Sequence, residues 1–414
     1  MINFTEYLEK YAALVIEMGV NIQPEQELVI RAPIECAEFT RILTEKAYQK
    51  GAKEVIVLWK DEQLSKIKYT YSPLEVFETV PRWQANFFND YSERGAAFLS
   101  IYAEDPELMA DVDPQKIIAG IKASRTACQP YYDRLDNGEN VWNIVSVPTL
   151  AWAKKVFPDC SDEQAIDKLW KAIFKAVRVD TPDPIAAWKQ HDQSFRSKVA
   201  WLNQQQFQKL RYTNSLGTNL TLGLPQNHIW QGGGETSNKG VFFFPNMPTE
   251  EIFSMPHKDH VDGVVVSSMP LNHNGNLIDG FSFTFERGKI VDFTAKRGYD
   301  VLKHILETDE GSRYLGEVAL VPNHSPISNM GILFYNTLFD ENASCHLALG
   351  AAYPSCIQDG TTMSKEQQAQ KGVNDSANHI DFMVGTEDLN IVGIKADGTE
   401  ISIFEHGNWS SAVQ

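Results

Sequence analysis

The sequence predicts an α/β N-terminal domain with an open, largely parallel sheet, followed by a β-rich α+β domain. The first prediction follows from apolar strand segments that alternate with helical segments up to about residue 190. The second follows from a change of pattern after 180–186, where two prolines interrupt the chain and short alternating segments take over. A length of 414 residues also favours two domains over one core. We therefore predict domains at 1–190 and 191–414.

The N-terminal elements follow from apolar spacing. Residues 4–21 have the spacing of a helix. Strands at 27–31 and 54–59 flank a helix at 35–50, and this βαβ unit predicts parallel strands with a right-handed crossover. No GxGxxG or GxxxxGK[ST] phosphate loop occurs in this part of the sequence. The other predicted elements are helices near 81–94, 113–123, 149–156 and 162–177, and strands at 97–101 and 143–147.

The second domain begins with a predicted long helix over 186–204, which follows the two prolines. Alternation of apolar and polar residues then predicts strands at 210–213, 219–222 and 281–285. Residues 232–234 are three glycines and predict a flexible loop, which a plain turn explains as well as a role in substrate binding. A short helix is predicted at 298–309.

Composition excludes several classes of partner. A formal net charge of −17 disfavours nucleic acid, because an acidic surface repels phosphate. The sequence contains no run of about 18 apolar residues, so it predicts no membrane-spanning helix. The N-terminal residues lack a basic start followed by an apolar run, so we expect a cytoplasmic location. Five cysteines without CxxC spacing predict reduced thiols rather than disulfides or a structural zinc site.

Histidine chemistry is confined to the second domain, because all ten histidines lie at residue 191 or later. His379 and Asp381 are two positions apart, so in a strand both side chains point to one face and could bind one ion. His346 precedes an apolar run, and a hydrogen-bonded core histidine is the simpler interpretation of it alone. Cys345 is its neighbour in sequence, but adjacent residues rarely face each other, which disfavours a thiol nucleophile.

Carboxylates and a tyrosine complete the candidate set. Glu317 stands at the start of an apolar strand, where a carboxylate is costly unless it is paired, bound to metal or exposed at the strand end. Glu250 and Glu251 follow a proline turn and could also cap an element. Tyr353 could bind metal, stabilise an oxyanion or simply pack beside Pro354. Glu341 belongs to the same segment as His346, within a carboxylate pair at 340–341.

Together, hard oxygen donors and imidazole suit zinc, cobalt or manganese. Two such ions about 3.5–4 Å apart would activate a water and stabilise a tetrahedral intermediate. The sequence contains no HExxH helix and no GxSxG elbow, which excludes a thermolysin-like mechanism and a serine nucleophile of that type.

Five segments, in order along the chain, carry a resemblance to a known family: 245–254, 314–317, 334–346, 352–354 and 378–381. With these segments the sequence resembles the aminopeptidase T / aminopeptidase S family of dinuclear metallo-aminopeptidases, over its whole length. The resemblance implies two divalent metal ions per chain, held by Glu251, Glu317, His346, His379 and Asp381, with Tyr353 at the metal centre. The family spacing to Glu317 favours Glu251 over Glu250 as the ligand.

The resemblance also implies an activity. We expect an exopeptidase that removes N-terminal residues from short peptides, in a homodimer with an enclosed chamber and with the second domain as the catalytic domain. Glu250 or Glu317 would carry the proton and Tyr353 would stabilise the oxyanion. A mononuclear Fe(II) ring-cleaving dioxygenase, with His346, His379 and Asp381 as its ligands, is the alternative on the same scaffold. A non-catalytic peptide-binding protein is a third possibility.

Overall fold

The computed structural model describes residues 4–273 and 275–413, and their contacts divide them into two units. The first unit comprises the described residues of Met1–Lys189 together with Gly234–Pro248. The second comprises those of Gln190–Gly233 and Thr249–Gln414. By its contacts, Gly234–Pro248 therefore belongs to the first unit, and the division into domains 1–190 and 191–414 stays a prediction.

Twelve α-helices occur among the described residues, and most of those predicted from periodicity are present within a few residues of their predicted ends. Four helices were not predicted, those at Glu62–Tyr71, Gln129–Asp136, Thr337–Asp340 and Lys365–Gln370. The first helix ends earlier than predicted, with a π-helical turn at Val15–Gly19. The helices are α1 (Phe4–Leu14), α2 (Ala37–Gln49), α3 (Glu62–Tyr71), α4 (Arg82–Glu93), α5 (Pro114–Ala127), α6 (Gln129–Asp136), α7 (Leu150–Val156), α8 (Asp162–Ala176), α9 (Pro184–Gln205), α10 (Tyr299–Leu306), α11 (Thr337–Asp340) and α12 (Lys365–Gln370).

The described residues form 21 strands, most of them in the second unit. The strands are β1 (Glu27–Pro33), β2 (Glu54–Lys60), β3 (Ala97–Ile101), β4 (Trp142–Val145), β5 (Lys209–Thr213), β6 (Asn219–Gly223), β7 (Gln231–Gly232), β8 (Glu235–Thr236), β9 (Phe242–Phe243), β10 (Ile252–Ser254), β11 (Val261–Val266), β12 (Leu271–His273), β13 (Asn276–Ile278), β14 (Ser282–Glu286), β15 (Lys289–Thr294), β16 (Leu315–Leu320), β17 (His346–Gly350), β18 (His379–Met383), β19 (Asn390–Ile394), β20 (Glu400–Glu405) and β21 (Asn408–Trp409).

The first unit contains a four-stranded parallel sheet in the order β2-β1-β3-β4. Its strands are short apolar runs, as expected for a sheet with helices on both faces. The return segment Gly234–Pro248 lies beside β4, where the Asn143 side chain donates to the Phe244 carbonyl at 2.6 Å and the Ile144 N–H donates to the Pro245 carbonyl at 2.7 Å. The prediction of an open parallel α/β domain is confirmed.

The second unit contains two large antiparallel sheets. Eight strands pair in the order β15-β14-β11-β6-β5-β19-β20-β21, and five pair in the order β18-β17-β16-β10-β7. The last of the five, β7, includes Gly232, the first glycine of the predicted loop, and pairs with β10. One apolar core joins the two sheets and α10. The prediction of a β-rich α+β domain is therefore also confirmed. Among the described residues, no helix is both long and apolar enough to span a membrane.

Candidate metal centre

The sequence-predicted site residues meet on the five-stranded sheet. Glu317 on β16 is paired with Ala348 on β17, and Ala348 is paired with Asp381 on β18, so these residues form one row across three strands. His346 and His379 lie two positions from Ala348 and Asp381 along their strands. Because side chains alternate along a strand, all four polar residues project from the same face.

The neighbouring strand β10 extends this face. Phe253 is paired with Ala319, and Glu251 stands two positions before Phe253, on the same side. Ala319 and Ala348 carry only methyl groups, which leaves space above the sheet between the polar side chains. The opposite face contributes apolar residues to the main core: Ile252, Val318, Leu320, Leu347, Leu349, Ile380 and Phe382.

Two glycines allow the backbone to come close enough for this arrangement. A β-bulge lies between Leu315 and Glu317, and a Cβ added at Gly316 would stand 2.2 Å from the Ala351 carbonyl oxygen. Gly350 has a φ of 100°, and a Cβ there would stand 2.2 Å from the Asn378 carbonyl oxygen. The bulge sets the register that aligns Glu317 with its partners, as bulges beside functional sites often do.

The donor atoms form two groups that share one carboxylate. Nε2 of His346 lies 3.0 Å from Oε2 of Glu251 and 3.6 Å from Oε1 of Glu317. Nε2 of His379 lies 3.2 Å from the other oxygen of Glu317, Oε2, and 3.4 Å from Oδ1 of Asp381. Within each group the ligand atoms all lie within 4.8 Å of one another. Glu317 thus presents one oxygen to each imidazole.

Backbone carbonyls orient both imidazoles. Nδ1 of His346 lies 3.1 Å from the Ser344 carbonyl oxygen, and Nδ1 of His379 lies 2.8 Å from that of Ala351. A carbonyl oxygen can only accept, so each Nδ1 carries the hydrogen and donates it. In the neutral rings the lone pair of Nε2 is therefore directed at the carboxylates, which is the tautomer that a metal-ligating histidine needs.

The donor set fits divalent cations. Nε2 of His346 is buried and, within the described residues, makes no hydrogen bond of acceptable geometry, although an oxygen of Glu251 is 3.0 Å away. A nitrogen lone pair and a carboxylate oxygen repel each other at that distance unless a positive charge lies between them. Either a proton or a metal ion can supply this charge. Imidazole and carboxylate together are the ligands that bind first-row divalent metals.

The pKa shifts have the directions expected for a buried cluster of opposite charges. Burial alone would lower the pKa of His346, but the carboxylates of Glu251 and Glu317 raise it well above its usual range. The pKa of His379 is raised in the same way, by Asp381 and Glu317 against the effect of burial. Burial alone would raise the pKa of Glu317, yet its two histidine partners lower it. For Glu251, burial prevails and raises the pKa.

Glu341 lies close enough to this cluster to be affected by its charges, although neither donor group of the described residues includes it. Burial raises its pKa well above the ordinary value, and the nearby carboxylates of Glu251, Asp381 and Glu317 raise it further. Its oxygen Oε1 accepts from Asn342 Nδ2 at 3.4 Å. The carboxylate pair in the sequence was the available signal, but nothing local to it indicated which member faces the other donors.

The neighbouring carboxylate Asp340 has a structural role instead. It is buried, and its oxygens accept the N–H groups of Phe334 and Asn336 at 2.7 and 3.0 Å, which fixes the turn before α11. Burial raises its pKa to about 7. The two members of the pair therefore point to different surroundings.

Glu250 and Glu251 also diverge. Glu251 is 9% exposed and contacts His346, whereas Oε2 of Glu250 lies 3.6 Å from Nε2 of His191. The backbone N–H of Glu250 donates to Oδ1 of Asn342 at 2.6 Å, which ties the start of β10 to the turn that carries Glu341. Neither donor group of the described residues includes Glu250. A role for it in proton transfer stays a prediction.

Tyr353 stands at the rim of the cluster. Its ring centroid is 4.8 Å from that of His379 and 6.0 Å from that of Phe253. The residue is 45% exposed, which leaves part of the ring open to a ligand. Burial of the phenol, followed by the charges of Glu317 and Asp381, raises its pKa well above the ordinary value. The phenol therefore keeps its proton and can donate a hydrogen bond.

Comparison with known proteins assigns the family. A family model described as thermophilic metalloprotease (M29) matches residues 4–409. The chain belongs to the M29 metallopeptidase family. This M29 chain is 51% identical over 403 residues to Aminopeptidase 2 of Geobacillus stearothermophilus, with 97% of each chain covered. Its structure is similar to that of wild-type AmpT from Thermus thermophilus, with a TM-score of 0.92, 38% identity and coverage of 98% of this chain and 100% of the other.

A second solved structure bears on the alternative function. The 2,5-dihydroxypyridine dioxygenase of Pseudomonas putida KT2440 has a TM-score of 0.54 and 9% identity to this M29 chain, with 99% of each chain covered. At that identity the likeness shows the fold alone. Family membership and relatives named as aminopeptidases identify the chain as a metal-dependent aminopeptidase, a hydrolase of the exopeptidase class. The dioxygenase alternative rests only on the shared fold.

Proposed function

We propose that the cluster holds two divalent metal ions with which the enzyme releases N-terminal residues from short peptides. The observation that carries this proposal is the Glu317 carboxylate, whose oxygens lie 3.6 and 3.2 Å from the Nε2 atoms of His346 and His379. A carboxylate shared by two donor groups is suited to bridge two ions. Two divalent ions would also balance the charge of the four carboxylates that meet at this site, Glu251, Glu317, Glu341 and Asp381.

The donor groups suggest the ligands of each ion. Glu251, Glu317 and His346 would hold one, and Glu317, His379 and Asp381 would hold the other. Glu341 would add a carboxylate at the border of both. This mixture of imidazole and carboxylate suits zinc, cobalt or manganese, and metal analysis has to decide among them.

Bound divalent ions supply Lewis acidity, which polarises the scissile carbonyl and lowers the pKa of water. The residues of the chain would then position charge and protons. Tyr353, with its phenol protonated at the rim of the cluster, would donate a hydrogen bond to the oxyanion that develops at the carbonyl. Glu317 or Glu250 would carry the proton from water to the leaving amine. For Glu250 this step would require its carboxylate to turn away from His191.

Two further expectations from the sequence concern assembly and location. A homodimer with an enclosed chamber would restrict substrates to short peptides, and a cytoplasmic location would give access to such peptides. Light scattering of the purified enzyme measures the first. Cleavage of a peptide series of increasing length tests the size restriction, and cell fractionation tests the location.

Metal content measured beside activity tests the proposal. Dialysed wild-type protein should contain about two divalent ions per chain by mass spectrometry. It should also release leucine from a chromogenic amide and lose that activity with a chelator. His346→Ala should remove metal and activity while the protein stays folded. Wild-type protein without bound divalent metal, and inactive after supplementation with zinc, cobalt and manganese, would refute the proposal.

Glu251→Gln and Glu250→Gln are a matched pair of variants. Each removes one carboxylate charge from adjacent positions without changing the size of the side chain. Glu251→Gln should lower the metal content, because Glu251 contacts His346 at 3.0 Å. Glu250→Gln should keep both ions, and a lower turnover in that variant would support a role in proton transfer. The reverse assignment would hold if Glu250→Gln alone lost metal.

A further inference from the structure

An aromatic wall borders the metal cluster on one side. Phe253 projects from the same face of the sheet as Glu251, from a position two residues further along, which places their Cβ atoms about 7 Å apart. Its ring meets that of Tyr353 edge to face, with 6.0 Å between the centroids and 67° between the planes. Both rings are partly exposed. The wall thus presents apolar surface beside the cluster.

Apolar residues behind the wall support it. Phe253 packs against a small buried cluster that is separate from the main core, formed by Met255, Ala352, Cys356, Ile357 and Val373. None of these five residues is charged, so the surface against which the Phe253 ring packs is apolar. The rest of this sheet face carries the carboxylates and imidazoles of the candidate ligands and the small methyl groups of Ala319 and Ala348, so Phe253 adds the larger apolar surface.

The chemistry of an aminopeptidase directs one substrate group towards such a surface. The scissile carbonyl belongs to the first residue, and its side chain is attached one atom away from that carbonyl. When the scissile carbonyl is bound at the cluster, the side chain of the first substrate residue therefore lies within a few ångströms of the residues that border the candidate metal ligands. Burial of an apolar side chain there would be favourable, because aliphatic and aromatic groups gain free energy on leaving water.

We propose that Phe253, paired with Tyr353, contacts the side chain of the first substrate residue and makes the enzyme select apolar N-terminal residues. This inference rests on the proposed function of the same site. It assigns a specificity-determining role to a residue that holds no metal. Glutamate and histidine at the cluster would serve the reaction of every substrate, whereas Phe253 would distinguish one substrate from another.

The test is the ratio of kcat/KM for leucine 4-nitroanilide to that for alanine 4-nitroanilide. Phe253→Ala should lower this ratio by about 10-fold, the lower end of the discrimination that an apolar pocket provides for a single methylene group. Phe253→Trp should also lower it, because the larger ring occupies the space of the leucine side chain. Metal content by mass spectrometry should match wild type in both variants.

Phe293→Ala is a matched control. Phe293 is also a partly buried phenylalanine in an aromatic pair, stacked on Tyr299 with 4.8 Å between centroids, but it lies on β15 of the eight-stranded sheet. Its loss should leave the ratio unchanged. An unchanged ratio in Phe253→Ala or Phe253→Trp with full metal content would overturn this inference alone. Wild-type protein with no metal and no activity would overturn the proposed function, and this inference with it.

Discussion

Asp309 should control the metal affinity of the donor group formed by Glu317, His379 and Asp381, although it is not one of the donors. Its Oδ1 accepts from Ser312 N–H, Ser312 Oγ and Ser376 Oγ at 2.8, 2.9 and 2.8 Å, and its Oδ2 accepts from Ala377 N–H at 2.6 Å. These bonds hold the segment that leads directly into β18 and His379. Removal of the carboxylate in Asp309→Ala would release that segment.

The path from this carboxylate to the imidazole is short. The Asn378 carbonyl accepts from Ala351 N–H at 2.7 Å, and the Ala351 carbonyl accepts from Nδ1 of His379 at 2.8 Å. A shift of Asn378 therefore changes the direction of Nε2. Loss of partners that orient a ligand lowers metal affinity by about 10–100-fold, and we expect this range for one of the two ions.

The same change lowers stability. Four hydrogen bonds to a charged acceptor are lost, each contributing about 1.5–3 kcal/mol when fully buried. Asp309 is only partly buried and Ala377 is exposed, so water replaces part of this interaction. We therefore expect the free energy of unfolding to fall by about 2–4 kcal/mol in Asp309→Ala.

Titration calorimetry with zinc and chemical unfolding measure the two effects. Asp388→Ala is the control. Its carboxylate also accepts from a hydroxyl and a backbone N–H, those of Thr386 and Ser215, but it lies after the end of β18 and belongs to neither donor group of the described residues. It should leave both ions bound with wild-type affinity. If Asp309→Ala binds two ions as tightly as wild type, the orienting path does not operate and the reasoning fails.

The pH dependence gives an independent check. Burial opposes ionisation of Asp309, but hydrogen bonds from Ala377, Ser376 and Ser312 outweigh it and lower its pKa. This stabilisation is present above the unfolded pKa of about 3.9 and is lost as pH falls through the lower folded value. The difference in unfolding free energy between wild type and Asp309→Asn should therefore be constant near neutral pH and shrink below about pH 4.

Three further predictions concern other parts of the chain. Burial raises the pKa of Glu62 from 4.5 to about 7, so the protein loses stability as pH rises between those values. Glu62→Gln should therefore raise the free energy of unfolding in urea by about 1–2 kcal/mol at pH 8 and leave it unchanged at pH 4. Gly316→Ala would bring a Cβ to 2.2 Å from the Ala351 carbonyl oxygen; activity should fall more than about 10-fold, whereas wild-type kcat/KM would disprove the need for the bulge at Glu317. Chelation should lower the Tm, and added zinc, cobalt or manganese should restore it. A Tm that does not respond would contradict the proposal that bound cations balance the charge of the clustered carboxylates.

Much of the fold follows from local pattern. The strands β1 and β2 are apolar runs on either side of an amphipathic segment, and this pattern alone predicts their parallel pairing. The spacing of His379 and Asp381 also predicts that both face one side of a strand, since alternation is a property of any strand. The order of the motif segments was enough to indicate the family, which the comparisons confirm.

The register between strands that are distant in the chain does not follow from local pattern. Glu317, His346 and His379 lie on three strands, and Glu251 directly precedes a fourth, β10. The mutual register of these strands depends on hydrogen bonds between segments tens of residues apart. A shift of one residue in any pairing would turn the side chains of that strand to the core face. The bulge at Gly316 changes this register locally, and no local pattern around Gly316 reveals it.

The sequence by itself thus determined the elements, the family and the pool of donor residues, because helical and strand periodicity and residue chemistry are properties of contiguous segments. The family spacing had favoured Glu251 over Glu250, but the contact of Glu251 with His346 is seen only in the tertiary structure. Only the tertiary structure, too, brings Glu341 near the same cluster and directs both Nε2 atoms inward through backbone carbonyls. Adjacent carboxylates in the chain have equal propensities. Their direction depends on which strand pairs with which and in what register, and that is settled by the packing of the whole unit.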